Sequence, residues 1–508
     1  MNRLQRSSVN MLSSVAGYSV PMLVSFITTP LLLRALGEAA FGLQSLVAVI
    51  VGYLMFMDMG LDLPIIKFLA EDRARQDAKS ENRLLSTTLQ LYAGIGLAGM
   101  VVIMLLADWF ARSVFKVPDD LVGQAVIVFR LAGIGFLGSV GMSWGRAAAM
   151  GVQRFDLSYS VSVVLSTAGT LIGLGVVYAG YGVVGYVLIR VIFTALAGPI
   201  YFILTRHLLP SFRFVLGVDC ATLRRVRGYV GYGTFNRITS SLVSRLDQTL
   251  LGVWVGVAAA GIYSVPFMLM TSLGYILAYM LGFIFPMASE LQSLGQIDRL
   301  RDIFIRSSQF IVALAGLVFI PLFVLGDLFL TLWTPTISAK AAGVLQLLAL
   351  AGYIGTLTTT LPNNMMVGLG KMRQFTIYAT IRAVALAAFC FIFIRPLGIE
   401  GAGWALLFTC SVDVIYFVIF LRRYIQISPS LLLQKAYLKP VLLGVAFAAL
   451  TFLCRPFAIS WIGFGAVGIG LLVIYIKVGF IVGVFGESEK RATMILYNLV
   501  MNKITSQA

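Results

Sequence analysis

Charge, histidine and paired cysteine are what this 508-residue sequence has little of. Only 12% of its residues are charged, against about a quarter in a soluble globular chain, while 59% are hydrophobic and the mean hydropathy is +0.94. No water-soluble fold buries that much apolar surface. The single histidine, His207, lies in a basic loop, which leaves no material for a His-based metal cluster or a Ser/His/Asp triad. The four cysteines (Cys220, Cys390, Cys410, Cys454) have no paired spacing, so neither a disulfide framework nor a zinc site is indicated. This inventory argues against an enzyme, and no cofactor or metal is expected. The net charge of +17 would suit nucleic acid only on a folded soluble domain with a basic face. No stretch is long and polar enough for that, so nucleic acid is excluded as a partner and the basic excess needs a topological cause.

What is present is a series of apolar runs of membrane-spanning length: 13–36, 41–67, 84–107, 121–150, 157–178, 183–204, 229–255, 262–288, 307–326, 341–369, 376–394, 401–421, 440–455 and 459–483. The chain is read as an all-α integral membrane protein of about 14 transmembrane helices. The first run has no small-residue cleavage site and continues through Arg34 and Glu38 into the second, which marks it as a span rather than a signal peptide. Alternate loops counted from the N-terminus hold about 25 of the Lys and Arg residues and the opposite set about 6, which places both termini in the cytoplasm. The basic loops 71–83, 205–228 and 422–439 are then cytoplasmic and face lipid headgroups as a solvated rim.

The sequence nearly doubles on itself. LGEAAFGLQS (36–45) and VGVAAAGIYS (255–264) align Gly37 with Gly256, Gly42 with Gly261 and Ser45 with Ser264, an offset of 219 positions (256 − 37). Without a gap the same offset pairs Glu71 with Glu290, Gln90 with Gln309, Asp108 with Asp327, Gly133 with Gly352, Gly151 with Gly370, Arg154 with Arg373 and Gly182 with Gly401. The expected organisation is an N-terminal six-helix lobe (1–204), a basic linker (205–228), a second six-helix lobe (229–425), and two further helices with a tail (426–508). Six is even, so both lobes run in the same direction and their symmetry axis lies along the membrane normal, the construction of alternating-access transporters.

A charge at the bilayer centre costs about 2.5 to 3.5 kcal/mol, so ionisable residues inside spans are the candidate site. They are Arg130, Arg146, Arg190, Arg245 and Arg382 on the basic side, and Asp58, Asp62, Asp247 and Asp413 on the acidic side. Arg245, near the middle of its span, is the first candidate. None of these charges is repeated at the offset of 219 in either direction; Arg190, for example, maps to Thr409 and Arg245 to Phe26. The scaffold positions keep the symmetry and the charges break it, as an asymmetric substrate gripped by one face of a cleft requires. The surplus of guanidinium favours an anionic substrate, because Arg grips phosphate oxygens with a planar fork of donors. Asp58 and Asp62 are one helical turn apart and serve either as a site for a coupling H+ or Na+ or as internal glue to arginines. Pro21 and Pro30 in the first span permit either a moving bend or a fixed kink.

The stretches PLLLRALGEAAFGLQSLVAVIVGYLMFMDMGL (30–61), IIKFLAED (65–72), GVQRFD (151–156) and GLGKMRQF (368–375) resemble the polysaccharide flippases of the multidrug/oligosaccharidyl-lipid/polysaccharide exporter superfamily, over roughly residues 5–425. The resemblance implies two six-helix lobes around a cavity in a bacterial cytoplasmic (inner) membrane. It implies movement of an undecaprenyl-diphosphate-linked oligosaccharide to the outer leaflet for O-antigen lipopolysaccharide, capsule or exopolysaccharide. Expected partners are that lipid-linked substrate, membrane lipids, a coupling ion and glycan polymerase or assembly proteins. The last two helices resemble the extra pair of the peptidoglycan-precursor (lipid II) flippase, which keeps that function as an alternative beside a drug/cation antiporter. A membrane glycan polymerase would need a large outer loop or cytosolic domain, and neither is present.

Overall fold

A computed structural model describes residues 3–54, 60–226, 245–281 and 284–485. Every regular element among the described residues is a helix. In chain order these are α1 (Arg3–Leu54), α2 (Asp62–Ala74), α3 (Ala78–Trp109), α4 (Val122–Gly151), α5 (Phe155–Val176), α6 (Gly182–Leu208) and α7 (Leu246–Trp254). They continue with α8 (Val257–Met280), α9 (Ile284–Ser293), α10 (Ile297–Trp333), α11 (Ser338–Gly368), α12 (Met372–Phe420), α13 (Pro429–Leu453) and α14 (Trp461–Ile481).

Ten helical segments are long and apolar enough to cross a membrane, and the chain is a multi-pass membrane protein. Three segments are divided into two crossings by a break in the backbone: Phe155–Leu208 and Met372–Ile425, with 54 residues each, about 80 Å of helix at 1.5 Å per residue, and Ser19–Leu54, with 36. Each is broken by glycine at positive φ: Gly37 in α1, Gly180 and Gly182 between α5 and α6, and Gly398 in α12. Each therefore supplies two crossings, in rough agreement with about fourteen; the expected span 229–255 lies outside the described residues except for its end, α7. Pro21 and Pro30 lie inside α1 with helical backbone; Gly37 is the residue where that helix departs from helical geometry.

The chain clusters into two compact units, Met1–Val265 with Cys390–Ala402 and Pro266–Phe389 with Gly403–Ala508. In the first, α4 packs on α3 and α6, and α5 on α1 and α6. The repeat glycines Gly42 and Gly261 meet each other. A Cβ on Gly261 would lie 2.6 Å from Gly42 Cα, a distance only two bare backbones reach. That contact draws the start of α8, from the second sequence repeat, into the first unit. The linker is also built in. Asn82, Ser86 and Gln90, one turn apart along α3, hold the backbone of Ser211, Arg213, Val215 and Gly217 by hydrogen bonds of 2.9–3.3 Å. Arg225 then binds Asp72 at 2.8 Å and Glu71 at 3.1 Å. The Thr222 hydroxyl and amide hold the Asp219 carboxyl below the usual carboxylate range. The part of the basic rim from 211 to 219 is thus an ordered strap on α3.

In the second unit α10 packs on α11 and α13. The final pair of helices is fastened by polar contacts at both ends: Arg455 to Asp327, Gln309 Nε2 to the Gly483 carbonyl at 3.1 Å, and Tyr475 Oη to the Ala313 carbonyl at 2.7 Å. Tyr437 Oη donates to the Leu357 carbonyl at 2.9 Å, inside a π turn (Thr356–Thr360) of α11 that interrupts the ordinary helical ladder.

Candidate functional site

The second half of α1 and the start of α7 carry a polar cluster in the first unit. Arg245 immediately precedes α7, and its guanidinium lies on Gly52 of α1, in the space a Cβ would occupy. Any larger residue at position 52 displaces it. Thr249 Oγ1, bonded to the Arg245 carbonyl at 2.7 Å, meets Tyr53 Oη at 2.6 Å. Gln248 Nε2 reaches Ser45 Oγ at 3.1 Å. Asp247 is 1% exposed; it accepts from the Gln248 amide at 2.8 Å and from Tyr263 Oη. It forms no ion pair among the described residues. A buried carboxylate held by hydrogen bonds alone is costly to keep charged.

The remaining candidates separate. Arg382 and Asp413 form a pair in the second unit at 2.9 Å, with Tyr378 Oη donating to the same carboxylate oxygen at 2.6 Å. Tyr378 stacks on Tyr416 with ring centroids 3.7 Å apart. Arg130 pairs with Asp108 at 2.7 Å, both side chains about half exposed. Arg146 and Arg190 both lie in the first unit, on α4 and α6, and neither pairs with a described carboxylate. Arg146 Nε is buried without a hydrogen-bond partner and its guanidinium covers the Tyr159 ring at 5.6 Å; Arg190 touches Tyr186 Oη at 3.4 Å.

The described part of the second span is not one continuous helix. Asp58 lies outside the described residues. Gly60 has φ +69°, and α2 begins at Asp62, whose carboxylate binds the Leu63 amide at 2.9 Å. The expected span 41–67 is therefore interrupted, since the positive φ at Gly60 cannot continue a helix. The corresponding span of the second repeat is interrupted too, between α8 and α9. Interrupted spans at membrane depth are tolerated where they line a cavity.

Sequence reasoning missed Gly52, Tyr53, Gln248, Tyr263 and Tyr378, because a glycine or hydroxyl in an apolar run carries no charge signal. Asp108 had a signal, its repeat partner Asp327. Both acids bind an arginine.

The family model described as "Polysaccharide biosynthesis protein" matches residues 8–292. The chain belongs to that family. A Shigella flexneri protein named as an O-antigen transporter is 21% identical over 407 residues, 78% of this chain and 92% of the relative. Among solved structures, the lipid II flippase MurJ in an inward closed conformation superposes with a TM-score of 0.70 at 10% identity, covering 93% of this chain and 98% of that one. An inward-facing multidrug resistance MATE family transporter of the MOP superfamily gives 0.65 at 14% identity, covering 83% and 99%. At these identities the structures establish the fold: this family member has the helical architecture of MOP-superfamily transporters and flippases.

Proposed function

We propose that the protein flips undecaprenyl-diphosphate-linked oligosaccharide repeat units from the cytoplasmic to the outer leaflet of a bacterial inner membrane, feeding O-antigen, capsule or exopolysaccharide assembly. The observation that carries this reading is the pair of arginines, Arg146 and Arg190, inside transmembrane helices without an acidic partner among the described residues. Uncompensated guanidinium at membrane depth demands an anion, and the carrier diphosphate is one. A drug/cation exporter needs the opposite balance. Membership of a polysaccharide biosynthesis family and similarity to an O-antigen transporter support the same substrate class.

In this mechanism the two six-helix lobes, 1–204 and 229–425, rock about a central cleft, with both termini cytoplasmic. Arg245, seated on Gly52, holds the diphosphate, and Arg146 and Arg190 contact more distal parts of the substrate. Arg130 and Arg382 act through their acids, keeping helices in place. Asp247, poised against Tyr263, exchanges the coupling H+ or Na+. Asp62 and Asp413 keep the capping and pairing roles described above.

The test is the leaflet distribution of lipid-linked oligosaccharide in cells lacking the protein, rescued by wild type or by Arg245→Ala at equal abundance. Accumulation of cytoplasmic-leaflet intermediate in the deletion, persisting with Arg245→Ala, is the expected result. An unchanged balance in a deletion strain without a redundant flippase removes this reading. Accumulation of lipid II in place of the oligosaccharide intermediate selects the peptidoglycan precursor.

A further inference from the structure

Between α1, α4, α5 and α6, inside the first unit, lies a pocket of about 320 Å³ whose polar wall is Ser139, Ser162, Ser166, Arg190 and Thr194. We propose that this pocket is a carbohydrate subsite that takes one acidic sugar residue of the substrate, an inference that rests on the flippase reading above.

The hydrogen-bond inventory selects the ligand. Ser139 donates to the Gly135 carbonyl at 2.9 Å, Ser166 to that of Val163 at 3.2 Å and Thr194 to that of Arg190 at 2.8 Å, while Ser162 lies 3.1 Å from the Ser158 carbonyl and 2.8 Å from Tyr201 Oη and keeps at least one lone pair free. A hydroxyl has one proton and two acceptor lone pairs, so these four oxygens are left as acceptors facing the pocket. Arg190 is donor only, and forms no ion pair among the described residues. Elsewhere in the same unit the guanidinium of Arg146 covers Tyr159, whose ring fills the space beside Gly17, another wall residue. The complementary ligand offers several O–H donors and one negative charge. A diphosphate satisfies the arginine but has no protons for the hydroxyls. A neutral sugar satisfies the hydroxyls and leaves the arginine uncompensated. A sugar carboxylate does both. The volume is at the lower end of the range of about 300 to 1,000 Å³ for ligand pockets, which suits one ring rather than a branched repeat unit.

The second repeat shows that the scaffold does not require this space to stay open. An offset of 219 carries Tyr159, Val163, Thr194 and Ala197 onto Tyr378, Arg382, Asp413 and Tyr416. There those positions are occupied by the Arg382–Asp413 pair and the Tyr378–Tyr416 stack. The first repeat has small residues at Thr194 and Ala197 and an arginine, Arg190, where the second has Thr409.

The experiment measures binding of D-glucuronate, D-glucose and inorganic pyrophosphate to the full-length protein in nanodiscs by ligand-observed NMR, with the wild-type leaflet assay run in parallel. Glucuronate is expected to bind at least about tenfold more tightly than glucose. Arg190→Gln should erase that preference, Arg190→Lys should keep part of it, and Ser166→Val should weaken both sugars by filling the pocket. Equal affinity for the two sugars, a glucuronate preference that survives Arg190→Gln, or pyrophosphate displacing glucuronate each overturns the proposal. Glucuronate preference lost in Arg190→Gln with no leaflet change in the deletion supports the subsite and overturns only the flippase reading.

Discussion

The two sequence repeats share a scaffold and diverge inside it. Gly133 of α4 packs against the Met100 carbonyl of α3, and Gly352 of α11 packs against the Phe319 ring of α10; 100 and 319 are again 219 apart. Gly37 and Gly256 both hold positive φ, as do Gln76 and Gly295 at the same offset. Ser45 and Ser264 both return a hydrogen bond to the carbonyl three residues back, that of Gly42 and Gly261 respectively. Away from these points the halves part company: the first repeat keeps a polar pocket where the second has a buried ion pair. Close helix packing constrains both copies to the same small residues, whereas a compartment between helices is stable either filled or open to a ligand. Function is thereby free to enter one copy alone.

The largest effect that would test this contrast is at the ion pair. Asp413→Leu leaves the part-buried Arg382 without its carboxylate and should cost about 3 kcal/mol of stability, read as unfolding of the detergent-solubilised protein. Arg382→Met added to Asp413→Leu should restore most of that. The equivalent change in the first repeat, Thr194→Leu, should leave stability nearly unaltered while abolishing sugar binding. A single Asp413→Leu variant as stable as wild type would mean that the pair is no plug.

A smaller contrast lies in the paired glutamines. Gln90 makes three hydrogen bonds to the strap at Val215 and Gly217, and Gln309 makes one, to Gly483. Gln90→Ala should cost about 2 kcal/mol and Gln309→Ala about 1 kcal/mol. Hydrogen exchange should speed up at the Gly217 amide, which donates to Gln90 Oε1, in the first variant alone. Equal protection in both variants would show that the strap is held by contacts other than those of Gln90.

The smallest effect is expected at the half-exposed Asp108–Arg130 pair, where Arg130→Gln should change stability by no more than about 1 kcal/mol. Arg455→Gln, at the more enclosed equivalent acid Asp327, should cost more. A larger loss at Arg130 than at Arg455 would reverse the order that exposure dictates.

Much of the fold was legible in the sequence because membrane spans and glycine turns leave local marks: a long apolar run, or a residue that must accept positive φ. The repeat was legible for the same reason, since Gly42 and Gly261 are needed wherever two helix backbones touch. The candidate charges were legible as residues and illegible as partners. Arg382 and Asp413 stand 31 positions apart and Arg130 stands 22 from Asp108, with no periodicity joining them. The span expected over 41–67 assumed that an apolar run is one helix, and the positive φ of Gly60 interrupts it.

What the sequence determined by itself is therefore the helical membrane class, the approximate number of crossings, the doubling and the basic bias, each of which follows from composition or from a fixed offset. Only the tertiary structure decided which arginines are neutralised by acids, that Gly52 seats Arg245, and that one repeat keeps a pocket where the other is filled. Those outcomes depend on which helix faces meet, and a buried charge is structural or available to a ligand according to what stands within about 4 Å of it.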